Sequence, residues 1–278
     1  MNNVVTRLAA QTGTGSGTFI PTWAVAANNS LIAGKLPSST SGSFTLEVPG
    51  RSLSFLTDGG DGALTKINGT VGTTTSANYL TCGNGGGAGA SLIYTLTGFA
   101  NGCSLTNITV YGGWADAGRD QQAYTVYYSK VTAPATFLLL GSVNYNPANP
   151  AGAQSATRAT LSPANGILAT NVAAVKFDFT TPASENGYCG YAEITMLGMP
   201  TPVPVSTTPV TLTSQLISNA IKLGWPTDHT GWRLQVQTND LNAGLGTNWF
   251  DVAGSTATNQ MSFPINPAAG GVFYRLLY

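Results

Sequence analysis

The sequence predicts an all-β fold: an N-terminal jelly-roll β-sandwich followed by a small C-terminal β-sandwich of immunoglobulin or fibronectin type. Three observations predict it. Only 8% of the 278 residues are charged, against about 25% in an ordinary soluble domain, so the Lys- and Glu-rich outer faces of exposed helices are missing. Tyr, Thr and Val, which suit half-buried pleated surfaces, recur in short runs of period two. Gly, Pro and Asn sit between those runs, where turns need them.

Residues 1–40 form a poorly defined lead-in, with residues 4–11 as the best helix candidate of the chain. Strands are expected at 43–48, 91–96, 105–111, 123–129, 136–143, 156–161, 173–179 and 192–197. At 43–48, Phe44 and Leu46 take the face opposite Thr45 and Glu47. Short strands in this number close residues 1–198 into a sandwich or jelly roll. Pro200, Pro202, Pro204 and Pro209 then mark residues 199–209 as an extended linker in which helix is excluded. Residues 210–278 repeat the grammar on a smaller scale, with strands at 210–216, 220–225, 232–238, 249–252, 261–265 and 272–277. Trp225, Trp232, Trp249, Phe273 and Tyr274 supply most of the apolar area of that small core.

Charge and cysteine usage exclude several function classes. Eleven basic and eleven acidic residues cancel, and no basic stripe tracks phosphates, so nucleic acid is not an expected partner. No apolar run reaches the ~18 residues of a membrane span. The opening MNNVVTRLAAQTGTGSG lacks the basic start and apolar core of a signal peptide, so export is not visible in the chain. Cys82, Cys103 and Cys189 contain no Cys-x-x-Cys, and His229 is the single histidine, which argues against zinc and iron–sulfur sites. One disulfide with a spare thiol and three reduced cysteines both remain open. His229 lies in a turn, no G-x-S-x-G elbow exists, and Glu185 and Glu193 are the closest pair of glutamates. So thin a supply of acids, bases and nucleophiles points away from an enzyme.

Two segments carry candidate chemistry. The stretch VYGGWADAGRDQQAYTVYYS places residues 112–122 as a connection between two strands. A protruding Trp114 there can stack on a sugar ring, with Asp116, Arg119, Asp120 and Gln121 aiming hydrogen bonds at hydroxyls. The same residues also read as a self-satisfied Arg–Asp pair under a Trp that caps the core edge. The second segment is FLTDGGDGALT, where Asp58 and Asp61 flank glycines that let oxygens converge, as a Ca²⁺ ion requires. A plain Gly-Asp turn is the other reading. Cys82 and Cys189 each precede an expected strand, which makes them the best candidates for a bridge. Tyr188 and Tyr191 either edge the loop cluster of residues 112–122 or pack where the last strand begins.

The order of these motifs resembles the galactose-binding-like jelly rolls of the discoidin (coagulation-factor C-type) superfamily. The residues that carry the resemblance are Leu56-Thr57-Asp58-Gly59, Ile108-Thr-Val-Tyr-Gly112, Arg119-Asp120, Tyr124-Thr-Val-Tyr-Tyr-Ser129 and Glu193-Ile-Thr-Met-Leu-Gly198, over roughly residues 40–198. The resemblance implies a structural Ca²⁺ held by Asp58, Asp61, Thr65 and Glu193. It also implies sugar binding by loops at one end of the sandwich, which include residues 112–122 with Trp114, Asp116, Arg119 and Asp120; Tyr188 joins these ligand candidates where it edges that loop cluster. A Gly-rich insert over residues 78–89 departs from the pattern. The tail, WRLQVQTN … NW … VFYRL, is similar to modules at the C-terminal ends of exported proteins of environmental bacteria. The expected function is a non-catalytic, extracellular carbohydrate-binding or surface-attachment module whose partner is a polysaccharide or cell-surface glycan. The alternative is a structural or interaction protein of the cell exterior, with self-assembly left open.

Overall fold

Where Tyr, Val and Phe alternate with polar residues the chain is extended, and the ladders between those runs set the architecture. The computed structural model describes residues 4–23, 25, 29–42, 52–60, 64–67, 70–71, 80–83, 90–115, 118–148, 152–180 and 188–278, with 64–67, 70–71 and 80–83 described by their backbone. The chain divides into two units, Met1–Thr201 and Pro202–Tyr278.

The first unit carries β1 (Val4–Thr12), β2 (Gly17–Phe19), β3 (Ser39–Ser41), β4 (Leu64–Ile67), β5 (Thr70–Val71), β6 (Leu80–Gly83) and β7 (Ser91–Thr95). It continues with β8 (Cys103–Trp114), β9 (Gln122–Lys130), β10 (Ala133–Tyr145), β11 (Ser155–Pro163), β12 (Ala169–Phe179) and β13 (Tyr188–Pro200). The antiparallel order β6-β13-β8-β11-β1 makes one layer and β3-β7-β12-β9-β10 the other. The layers join at one corner, where Ala169 lies opposite Leu105 and Val172 opposite Cys103. A smaller antiparallel set, β2-β4-β5, stands beside them.

Inward residues of both layers meet in one core that includes Leu92, Ile108, Val126, Val175, Ile194 and Met196. Tyr124, Phe177, Phe179 and Tyr191 pack there edge to face, with the Phe179 and Tyr191 ring centres 4.9 Å apart. Because β8 alternates, Val110 joins this core while Tyr111 serves a second cluster with Trp114, Ala156 and Ala192. Phe19, Trp23 and Val25 from the lead-in pack against that second cluster.

Three expectations change. Residues 4–11 are not helical: β1 pairs with β11 from Val4 opposite Pro163 to Thr12 opposite Ser155. Val4, Val5 and Thr6 are β-branched and favour the extended chain, and the β11 edge supplies the backbone partners that a helix would have found within itself. The connection after β8 is shorter than residues 112–122, since β8 runs to Trp114 and β9 begins at Gln122. Cys82 and Cys189 do not precede strands but lie within them, Cys82 in β6 inside the Gly-rich insert and Cys189 in β13. The strand expected at 43–48 lies outside the described residues.

The second unit packs two three-stranded sheets. Its strands are β14 (Thr213–Ile217), β15 (Ala220–Gly224), β16 (Arg233–Asn239), β17 (Phe250–Asp251), β18 (Gln260–Pro264) and β19 (Gly271–Leu277). The orders are β14-β15-β18 and β17-β16-β19. Leu223, Trp225 and Leu234 centre the core, with Phe263 and Tyr274 packed against it. Trp232 and Trp249 do other work: Trp232 stacks near His229 at 4.9 Å, and Trp249 carries the Arg275 guanidinium at 4.3 Å.

The proline-rich stretch is divided between the units. β13 extends through Pro200, and Thr201 N–H donates to Gly102 O at 2.9 Å. Further on, Ser206 N–H donates to Asp228 O at 2.7 Å, and Trp232 Nε1–H donates to Ser206 O at 2.7 Å. Residues 206–208 are thus strapped to the second unit rather than spanning free. His229 completes the strap: Nδ1 lies 2.7 Å from Asp228 Oδ1 and Nε2 2.7 Å from Thr208 O. Both partners are acceptors, so the doubly protonated ring fits best, and first the Thr208 carbonyl and then Asp228 raise its pKa. The raised folded-state value sets the sign. Stability from this group is full below the unfolded pKa of about 6.5 and is lost as pH rises through the folded value. Thermal melts of the second unit are expected to decline over that window, and His229→Gln is expected to flatten the decline.

Candidate functional site

Two adjacent glycines decide where Trp114 goes. Gly113 has φ +143°, and a Cβ on it would meet Ser155 O at 2.3 Å. A Cβ on Gly190 would sit 2.2 Å from Gly113 O and 2.8 Å from the Trp114 ring. The strands therefore approach closer than side chains allow, and the indole folds down onto the β13 backbone. Trp114 is 4% exposed. The expectation of a protruding Trp is corrected: Trp114 is a wall of the second cluster, roofed by residues of the lead-in.

Arg119 occupies the rim above it. Its guanidinium carbon lies 4.9 Å from the Trp114 ring centre and 4.8 Å from that of Tyr188, so the cation is flanked by two aromatic faces. Arg119 and Tyr188 are both half-buried, which leaves part of each at the surface. The loop backbone is held at three points. Gly190 N–H donates to Arg119 O at 2.8 Å, Thr157 Oγ1 donates to Asp120 O at 3.2 Å, and Gln121 Nε2 donates to Asn144 Oδ1. Under the loop, fully buried Gln122 donates to Val110 O and Thr157 Oγ1 and accepts from Tyr124 Oη. The structure brings Trp114, Arg119 and Tyr188 together. Asp120 is 1% exposed, so its carboxylate is not presented to solvent, and Asp116 lies outside the described residues. Gly113, Gly190 and Gln122 are the positioning residues that the sequence analysis missed. The signal was present in the Gly-Gly pair before Trp114 and in the Gly after Cys189.

A second site lies on the outer face of the same layer, where Arg158, Tyr111 and Glu193 stand side by side across β11, β8 and β13. Glu193 is 1% exposed. Its Oε2 accepts from Gly59 N–H at 2.9 Å, while Oε1 is buried with no hydrogen-bond partner among the described residues. Burial drives its pKa up to about 8; the Gly59 N–H opposes the rise and the charge of Asp58 adds to it. Asp58 Oδ1 accepts from Gly60 N–H at 2.8 Å, which shapes the turn. The early Asp-Gly loop and the closing strand therefore meet. Asp61 lies outside the described residues, and Thr65 is on β4, described by its backbone. Among the described residues no group of three or more His, Cys, Asp or Glu gathers.

No protein-family model matches the chain, and no curated protein matches it. Among solved structures the chain is similar to CBM32-1 of a family 31 glycoside hydrolase from Clostridium perfringens, at 9% identity and TM-score 0.33, covering 58% of this chain and 96% of that one. It is similar to CpGH89CBM32-5 of the same organism, in complex with GalNAc-β-1,3-galactose, at 14% identity and TM-score 0.34, covering 63% and 99%. It is also similar to the family 32 module of C. perfringens NanJ, in complex with galactose, at 14% identity and TM-score 0.32, covering 56% and 92%. These are carbohydrate-binding modules, and the likeness is partial; the β-sandwich of this chain rests on its own ladders. No helix among the described residues is long and apolar enough to cross a membrane.

Proposed function

We propose that the protein is a non-catalytic carbohydrate-binding or surface-attachment module of the cell exterior, and that Arg119 is the polar centre of its site. The observation that carries this reading is the guanidinium of the half-buried Arg119 set between the Trp114 and Tyr188 rings. A pre-set fork of N–H donors beside an aromatic face suits the vicinal hydroxyls and the apolar ring face of a sugar. Trp114 backs the cation and Tyr188 offers the outer ring. A glycan array probed with the full chain, with and without Ca²⁺, tests it. Selective retention on a glycan class is expected, and silence across the array in both conditions overturns it. One observation favours the second reading, a structural or interaction protein: the burial of Trp114 and Asp120 is also what a loop pinned for its own sake requires.

We also propose a structural Ca²⁺ at the Asp58–Glu193 junction. The residues fit a hard cation, since the buried Oε1 of Glu193 has no hydrogen-bond partner among the described residues while the charge of Asp58 reaches it. Asp58 and Glu193 would hold the ion, with Asp61 and Thr65 as the further expected donors. When bound, the ion supplies the positive charge that two neighbouring carboxylates need to stay ionised. The effect on this chain is to tie the loop of residues 57–60 to β13.

A further inference from the structure

The ladder between β6 and β13 is short, and its register is specific: Tyr188 lies opposite Gly83, Cys189 opposite Cys82, Gly190 opposite Thr81 and Tyr191 opposite Leu80. Residues directly opposite in an antiparallel pair have Cα atoms about 4.5 or 5.5 Å apart, and both spacings fall inside the range that a disulfide spans. The third cysteine is excluded by the same strand. Cys103 is opposite Pro200, eleven residues beyond Cys189 along β13, or roughly 36 Å at the rise of a strand. Among the described residues β6 pairs with β13 alone, over four residues, which is little to hold an edge in place.

Cys189 sits between two residues that grip the rim. Tyr188 stacks on the Arg119 guanidinium at 4.8 Å, and Gly190 donates its N–H to Arg119 O at 2.8 Å while its bare Cα lies under the Trp114 ring. Residues 188–190 are thus the floor on which the Arg119 stack rests.

We propose that Cys82 and Cys189 form a disulfide, and that this bond clamps residues 188–190 and so fixes the Arg119 guanidinium for ligand. The bond forms by thiol–disulfide exchange with a disulfide oxidant such as oxidised glutathione. One thiolate attacks the oxidant and releases a thiol, and the second then attacks the mixed disulfide and releases another. Two protons leave the pair, and two electrons pass to the oxidant. A dithiol reductant reverses the step. The bond itself rests on the register alone; its bearing on ligand rests on the glycan reading above.

The test keeps the two apart. The full chain is equilibrated with oxidised glutathione, alkylated in denaturant and digested with pepsin, and the peptides are mapped by mass spectrometry. A peptide joining Cys82 to Cys189, with Cys103 alkylated, is expected; alkylation of both Cys82 and Cys189, or a bridge to Cys103, overturns the pairing. Tryptophan emission of the oxidised chain is then compared with that after dithiothreitol, in the wild type and in Trp114→Phe. A shift on reduction that is lost in Trp114→Phe supports the clamp, and identical emission in both redox states overturns it. Cys82→Ser is expected to reproduce the reduced spectrum and to lower Tm by about 10 °C. Bridge and shift together in a chain that retains no glycan would leave this inference standing and remove the glycan reading.

Discussion

Replacing Trp114 by alanine is expected to destabilise the first unit by about 3–5 kcal/mol, the usual range for emptying a buried aromatic site. The ring is 4% exposed and belongs to a cluster with Tyr111, Ala156 and Ala192, against which Phe19, Trp23 and Val25 pack. Few of these neighbours can move into the space. Tyr111 and Ala156 are strand residues held in register by β8 and β11, and Gly190 has no side chain to offer. The loss should therefore sit at the upper part of the range, because sites that cannot collapse keep their cavity. The same substitution removes one of the two aromatic faces on Arg119. Trp114→Phe keeps an aromatic face and is expected to recover most of the stability. Denaturant unfolding of the three proteins, followed by far-ultraviolet circular dichroism, measures the difference. A change under about 1 kcal/mol for the alanine variant would mean that the indole is not packed as described.

The second large effect is the response of Glu193 to pH and to Ca²⁺. Its folded pKa of about 8 lies above the ~4.3 of a free glutamate, so the folded state holds the proton more tightly. Below about pH 4.3 both states are protonated and the group leaves stability unchanged. As pH rises from there toward about 8, the unfolded chain releases its proton first and stability falls. The steepest slope is about 1.4 kcal/mol per pH unit for one proton. Above that window the carboxylate is ionised and buried beside Asp58. A bound cation reverses this, so Ca²⁺ is expected to raise Tm most at pH 8–9 and least near pH 5, where it competes with the proton. Glu193→Gln should remove both the slope and the Ca²⁺ response. Thermal melts with chelator and with millimolar Ca²⁺ at each pH measure it, and a Tm independent of Ca²⁺ at every pH would refute the site.

Much of the fold was legible because alternation is a local property. Residues 123–129 put Tyr124, Val126 and Tyr128 on one face, and the structure buries all three. The six strands of the second unit fall within a few residues of their expected places for the same reason. β1 was missed because it is an edge strand with mostly half-buried or exposed residues, so its sequence carries no clean period and its partner, β11, lies about 150 residues away. The candidate site was legible in composition and not in orientation. Trp114, Arg119 and Tyr188 were all named, yet whether the indole stands out or folds down depends on the approach of Gly113 to Gly190, a contact between distant strands. The meeting of Asp58 with Glu193 followed from a resemblance in motif order. Residue spacing alone could not supply it, since the Gly59–Glu193 hydrogen bond joins positions 134 apart in the chain.

The most direct test of the central claim is calorimetric titration of the strongest array glycan into the wild type and into Arg119→Ala, with both shown to be folded. Loss of a charged donor pair predicts a Kd at least tenfold weaker in the variant. Equal affinity in the two proteins would place the sugar elsewhere and return the Trp114–Arg119–Tyr188 stack to a purely architectural role.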